Sequence, residues 1–344
     1  MKPFLEISEL SKSFAPSRGL VAKMASALGR STAQGPVVHA VNGVSLCVAP
    51  GEIVGLVGES GCGKSTLGRM VAGIMDSSAG IVRYDGHPLV HGGPHSVHRQ
   101  AQMVFQNPYA SLNPRLRIRD TLTEAPIYHG LTTRKEALNF ASSLLELVGL
   151  DPSYGERYPH QFSGGQRQRI AIARALSMDP KLIVCDEAVS ALDVSVQAQI
   201  LNLFLDLRAS RGLTYLFISH NLSVVEYLAD RVAIMYLGKL VEIAPTQTLF
   251  TSAQHPYTKA LIADAPRLDA KAAAYRPIQG ELPSPLKPPS GCAFHPRCPV
   301  ALRRCSEEAP PMTEIAPGHH AACHLHQPAS VRVVPISEVP RHVA

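Results

Sequence analysis

Apolar positions along the chain follow two alternating periods. The runs 53–57, 182–185, 215–218 and 232–237 are short, continuous and partly β-branched, which predicts strands covered on both faces. Residues 4–10 and 43–57 also read as strands. Other segments repeat at helical spacing. In 134–148 the apolar set is Ala137, Phe140, Ala141, Leu144, Leu145 and Val148, and in 196–209 it is Val196, Ile200, Leu203 and Leu207; both predict amphipathic helices. Strands alternating with helices imply an α/β fold built on a mainly parallel sheet. A polar, basic insertion at residues 15–38, with Arg18, Lys23 and Arg30 following Lys12, has too few large apolar residues to join a core.

The texture changes after residue 250, and proline becomes dense between Pro277 and Pro311. We therefore expect a main domain over 1–250, a loop-rich unit over 251–330 and a tail over 331–344. At 344 residues and 45% hydrophobic, the chain is long enough for a full α/β core plus such a unit. No apolar run reaches the roughly 18–20 residues that cross a bilayer, and Glu6 and Glu9 stand where a signal peptide would be apolar. A soluble, cytoplasmic protein is expected. The net charge of +6 is too slight to argue for nucleic acid.

The chemistry starts at GESGCGKST, Gly58 to Thr66, which follows an apolar run and precedes a helical pattern. Gly58, Gly61 and Gly63 let backbone N–H groups converge on a phosphate, with Ser60 between them. Lys64 would reach the outer phosphates, and the Ser65 hydroxyl would take a position on Mg2+, beside Thr66 at the helix start. This context predicts ATP or GTP binding. Downstream, a buried run ends in Asp186-Glu187. Asp186 is expected in the Mg2+ shell and Glu187 as the group that polarises the attacking water. The plainer alternative is a carboxylate pair capping the next helix.

A second anion pocket is encoded by Ser163-Gly164-Gly165-Gln166, a turn that opens a helix running through Ile170, Ala173 and Leu176. The first loop already occupies the β and γ phosphates of its own nucleotide. The second pocket should therefore grip a nucleotide held by a partner.

Together these residues resemble the ATP-binding cassette family, in which two subunits sandwich two ATPs between one phosphate loop and the other's Ser-Gly-Gly-Gln signature. The resemblance implies an ABC-type nucleotide-binding domain: a phosphate-loop core of mainly parallel sheet, an antiparallel β subdomain, a helical subdomain, and here a small loop-rich C-terminal domain. It also implies roles for residues that are weak evidence alone. Gln106 matches the glutamine that touches Mg2+ beside the membrane-subunit contact, Ser190 to Asp193 the loop crossing the dimer interface, His220 the switch histidine at the γ-phosphate, and Phe14 the aromatic that stacks on adenine. A lone His or Phe in such places is more often packing.

Two stretches narrow the resemblance to the second, F-type ATPase of oligopeptide and dipeptide importers. One is CDEAVSALDVSVQAQILNLF, with Ala188 where many relatives carry Pro. The other is HPYTKALIADAP followed by GCAFHPRCPVALRRC and Cys323. Cys292, Cys298, Cys305 and Cys323 are separated by 5, 6 and 17 residues, unlike the tight pairs of zinc ribbons. The resemblance implies a [4Fe-4S] cluster on these four thiolates. Structural Zn2+ with help from His295, His319, His320, His324 or His326 stays open, as do free thiols. The implied partners are two membrane permease subunits, a second ATPase subunit (a copy or a paralogue) and, indirectly, an extracytoplasmic substrate-binding protein. That places the chain peripherally on the cytoplasmic face of the plasma (inner) membrane. Nickel, opine or glutathione import are alternative functions. A soluble repair or translation ATPase fits poorly, since only 96 residues separate Thr66 from Ser163 and one phosphate loop is present. The basic run Arg115 to Arg119 reads equally as a partner contact or a solvated face.

Overall fold

The computed structural model describes residues 2–15, 37–90, 95–264, 280–281 and 283–326. Most of the insertion expected at 15–38, and the tail expected at 331–344, lie outside the described residues. Strands β1 (Leu5–Phe14), β2 (Val38–Val48), β4 (Ala79–Tyr84) and β5 (His87–Pro88) form an antiparallel sheet in the order β2-β1-β4-β5. The main sheet takes β3 (Ile53–Val57), β6 (Ala101–Val104), β7 (Leu182–Asp186), β8 (Thr214–Ser219) and β9 (Arg231–Tyr236). To these it adds β10 (Lys239–Pro245), β11 (Thr313–Ala316) and β12 (His319–Ala321). Its order is β11-β12-β10-β9-β3-β8-β7-β6. From β9 to β6 the neighbours are parallel, and β10, β12 and β11 continue the sheet antiparallel.

The strand period of two sorts side chains cleanly between two cores. Val54, Leu56, Val184, Leu216, Ile218, Ala233 and Met235 face β1, β2 and helix α1 (Lys64–Val71). Ile53, Val57, Ile183, Cys185, Tyr215, Phe217, Val232, Ile234 and Tyr236 face the opposite layer. That layer contains α5 (Val194–Arg211) and α6 (Leu222–Leu228), and joins a helical group of α2 (Ile118–Tyr128), α3 (Ala137–Leu147) and α4 (Gly164–Leu176). Because both faces of β3, β7 and β8 are covered, those strands are apolar without alternation. Each large apolar side chain fully buried this way contributes roughly 1.5–3 kcal/mol.

The stretch 43–57 differs from the single strand expected. It splits into the end of β2 and all of β3, because Ala49 to Glu52 turn the chain: Gly51 takes a φ of 71°, and Ala49 N donates to Glu52 Oε2 at 2.7 Å. The basic run at 115–119 opens α2, and Arg117 and Arg119 both pair with Glu156 instead of standing free. Beyond β10, helices α7 (Thr246–Ser252) and α8 (Pro256–Asp264) lead into the cysteine-rich unit. That unit is not hung on a linker. Its β12 pairs with β10, and its Phe294 joins the core beside Tyr236 and Tyr257, with ring centroids 5.3 Å from each.

Candidate functional site

The turn from β3 to α1 is set by Gly63, which has a φ of 107° and whose Cβ, if present, would lie 2.1 Å from the Ala40 carbonyl oxygen. Only glycine fits there. The Lys64 side chain is pulled back into the loop, where its ammonium donates to Gly58 O at 2.7 Å and Glu59 O at 2.9 Å. Lys64 is buried, so those carbonyls replace the water it has lost. Ser60 and Gly61 stay exposed at the rim and Thr66 is half-buried in α1. One residue after Lys64, Ser65 Oγ donates to Asp186 Oδ1 at 2.7 Å. Asp186 ends β7, the carboxyl edge where open α/β sheets bind ligands. Burial pushes its carboxyl above the ordinary range, and the Ser65 hydroxyl and the Arg69 charge offset part of that.

Glu187 follows immediately and has a φ of 50°, a left-handed conformation that costs a non-glycine residue about 1–3 kcal/mol. The surroundings hold it there. Its N–H donates to Ile218 O at 3.0 Å, and Ser190 Oγ donates to its carbonyl at 2.9 Å. The carboxylate is gripped from both sides: Gln106 Nε2 donates to Oε2 at 2.8 Å, and His220 Nδ1 lies 3.1 Å from Oε1. Gln106 follows β6 and His220 follows β8, so the sheet order places both beside the end of β7. The exposed Gln106 and His220 flank a carboxylate that is 17% exposed, which leaves it reachable by one small molecule such as water.

The expected Ser163–Gln166 pocket lies elsewhere. Ser163 caps α4, accepting from Gln166 N at 3.3 Å while its own N–H donates to Gln166 Oε1 at 3.1 Å, a reciprocal capping box. Gly165 has a packing reason as well: a Cβ there would meet Val196 Cγ1 at 2.4 Å. Ser163 and Gly164 are exposed. Among the described residues no hydrogen bond links 163–166 to 58–66. Asp193, also exposed, precedes α5 without capping it. Phe14 ends β1 with its ring 40% exposed, and Lys12 Nζ sits 5.4 Å from the ring centroid.

Cys292, Cys298, Cys305 and Cys323 line one small cavity, although 30 residues separate the first from the last. Cys292 N donates to Cys305 O at 2.8 Å, which fixes the first and third against each other. Burial pushes the Cys292 and Cys298 thiols up, and it takes Cys323 to about 11, with the other three cysteines adding to the effect. Three of these thiols are raised chiefly by burial and in part by their neighbouring cysteines, so they share a region that a positive centre would stabilise. Among the described residues, no group of three or more His, Cys, Asp or Glu is arranged around a single ion. Of the histidines that kept a mixed zinc site open, His319 bonds Glu242 and His326 bonds Gln254 O, while His295 and His324 line the cysteine cavity and bond Cys292 O and Glu308 O; His320 Nδ1 is buried with no hydrogen-bond partner among the described residues.

Two residues that organise these sites were not picked out from the sequence. Glu59 lies inside the phosphate loop, and its carboxylate accepts from Arg297 Nη1 at 2.9 Å. Glu242, fully buried, accepts from His319 at 2.7 Å and from the backbone of Gln254 and His255. A charge in the continuous apolar run of β10 was the available hint.

The chain is similar to known proteins in sequence and in fold. The profile of the ABC transporter family matches residues 41–190, and that of the oligopeptide/dipeptide transporter C-terminal region matches 241–305. The chain is 50% identical over 299 residues to "Probable peptide ABC transporter ATP-binding protein y4tS" of Sinorhizobium fredii, covering 86% of this chain and 85% of that one. It is 48% identical over 296 residues to "Oligopeptide transport ATP-binding protein AppF" of Bacillus subtilis, covering 84% and 90%. In fold it is similar to cbiO1 of Clostridium perfringens, part of the ABC transporter complex cbiONQ, with a TM-score of 0.60 at 24% identity over 73% of this chain and 92% of that one. The ATP-binding cassette MJ0796 gives a TM-score of 0.59 at 24% identity, over 70% and 98%.

Proposed function

This chain belongs to the ABC transporter family of ATP-hydrolysing subunits, and from that membership we propose that it energises import of oligopeptides or dipeptides through membrane permeases. The C-terminal match and the names of its relatives support peptides over nickel, opines or glutathione. Among the described residues no helix is long and apolar enough to cross a membrane. The chain would act from the cytoplasmic face of the inner membrane, docked on two permease subunits and facing a second ATPase subunit.

The observation that carries the catalytic reading is the grip on Glu187. A carboxylate held between Gln106 and His220, one residue from Asp186, is placed to take a proton from water. Lys64 exchanges its loop carbonyls for the outer phosphates, and the amides after Gly58, Gly61 and Gly63 receive the rest of the charge. Ser65 and Asp186, already bonded to each other, present the hard oxygens a divalent cation prefers, with Gln106 at its edge; Mg2+ bound there would draw charge off the phosphates. His220 and Gln106 report the state of the γ-phosphate, and Phe14 offers its open face to the adenine. Ser163 and Gly164, exposed, with the half-buried Gly165 and Gln166, complete the partner's site, while Asp193 crosses the interface.

We read the four cysteines, which line one common cavity, as the ligands of a [4Fe-4S] cluster, each thiolate binding its own iron. The cluster would staple the cysteine unit, with Zn2+ as the alternative occupant. The function is tested by ATP-dependent uptake of labelled peptide into vesicles carrying the assembled transporter. Uptake that continues when Lys64 is replaced by Ala would refute it.

A further inference from the structure

Glu59, the second residue of the phosphate loop, is anchored at both ends by the C-terminal unit. Its backbone N–H donates to the Tyr257 hydroxyl of α8 at 2.9 Å, and its carboxylate accepts from Arg297 Nη1 at 2.9 Å. The Arg297 side chain is only 7% exposed. Arg297 also donates to Tyr236 Oη at 3.4 Å, and its guanidinium carbon lies 5.9 Å from that ring's centroid. It sits in a short turn directly before Cys298, where its N–H donates to Phe294 O at 3.0 Å. Phe294 in turn packs on Tyr236 and Tyr257. On the other side, the Glu59 carbonyl accepts from the Lys64 ammonium at 2.9 Å. A continuous set of contacts therefore runs from the cysteine turn to the lysine expected to meet the phosphates.

Two physical consequences follow for the loop. A loop already fixed at the backbone and side chain of one residue loses less freedom when it closes on a ligand. A carboxylate beside a polyphosphate site also repels the ligand unless a cation neutralises it, and at low exposure that repulsion is poorly screened. Arg297 answers both needs at once. Resting on the ATP-binding reading above, we propose that Arg297 and Tyr257 are positioning residues for the phosphate loop, through which the C-terminal unit sets the affinity of this chain for nucleoside triphosphate.

The test is an equilibrium titration of the full-length chain with a fluorescent ATP analogue, alongside KM and kcat of the assembled transporter. Arg297→Met leaves the Glu59 charge uncompensated and should weaken binding by about tenfold or more, with kcat at saturation within about twofold. Arg297→Lys keeps the charge and should stay within about threefold of the parent. The double variant Glu59→Gln with Arg297→Met removes the repulsion and should recover most of the affinity. A structural role alone would make the double variant no better than the single. Parental affinity in Arg297→Met, or a double variant as weak as the single, overturns the proposal. Should Arg297→Met fail to fold, Tyr257→Phe keeps every charge and removes only the acceptor for Glu59 N–H. It should raise the dissociation constant about threefold, the effect of one lost hydrogen bond, and an unchanged constant overturns the proposal. A parent chain that does not bind the analogue at all would count against the nucleotide reading itself, a result distinct from a parent that binds and variants that bind equally.

Discussion

Gln106 donates to the Glu187 carboxylate at 2.8 Å across 81 residues of sequence, joining the segment after β6 to the end of β7. The family resemblance places Gln106 beside the membrane subunit. Any shift of that segment therefore moves the donor that orients the proposed base. We propose that transport and hydrolysis are coupled through this one hydrogen bond.

Replacing Glu187 with Gln should leave ATP binding intact while turnover at this site falls by about 10²–10⁴-fold, the usual contribution of a positioned general base. Single-turnover hydrolysis in the assembled transporter measures this without interference from product release. Undiminished hydrolysis at this chain's site would remove Glu187 as the base.

Gly165→Ala should destabilise the chain by about 1–3 kcal/mol, because the added methyl would sit 2.4 Å from Val196 Cγ1. Val196→Ala in the same background should restore much of the loss by opening that space. Denaturant midpoints of the two variants distinguish this packing effect from the exposed signature's proposed role with a partner, which concerns hydrolysis and not stability.

Acid should loosen the C-terminal unit before it loosens the rest. His255 is buried and its Nδ1 accepts from Tyr257 N at 3.1 Å, so it folds as the neutral ring; burial lowers its pKa from 6.5 to about 4. As the pH falls below 6.5 the unfolded imidazole takes up a proton that the folded one refuses, so stability drains until about pH 4. The loss is on the order of 3 kcal/mol. Glu242 acts at lower pH. Burial raises its carboxyl, but the donors from His319, Gln254 and His255 outweigh that and hold it below the usual value. Its contribution is present above the ordinary carboxylate pKa and disappears as the pH falls through the depressed one. Urea midpoints between pH 7 and pH 4 should drop for the parent and flatten for His255→Asn.

Anaerobic purification should yield iron and acid-labile sulfide with the chain, and Cys298→Ala should lose both while ATP binding by the parent fold persists in weakened form. Metal analysis showing zinc without sulfide would assign the site to Zn2+, and thiols without either would leave it a free-cysteine cavity.

The legible parts of this molecule were those written in local spacing. The runs at 182–185, 215–218 and 232–237 became β7, β8 and β9 within a residue or two, because strands buried on both faces must be apolar throughout. The helices at 137–147 and 194–211 followed from their apolar stripes. The antiparallel subdomain was expected from the family resemblance, but the strands β4, β5 and β10 to β12 were not placed individually. Short, half-exposed strands such as His87–Pro88 and Thr313–Ala316 carry little period to read. The phosphate loop, Asp186 and Glu187 were legible because their chemistry demands fixed neighbours. Arg297 and Glu59 were not, since nothing in spacing pairs residues 238 positions apart.

We propose that each ATP site is shared, with Lys64 and Glu187 supplied by this chain and Ser163 to Gln166 offered to its partner. ATP turnover by the assembled transporter carrying Ser163→Arg in this chain, compared with that of the isolated monomer, tests it most directly. The substitution should collapse turnover at the partner's site, by about 10²-fold or more as for loss of a transition-state anion contact, and the monomer should be slow with or without it. A strictly monomeric Ser163→Arg chain hydrolysing ATP as fast as the intact assembly would contradict it.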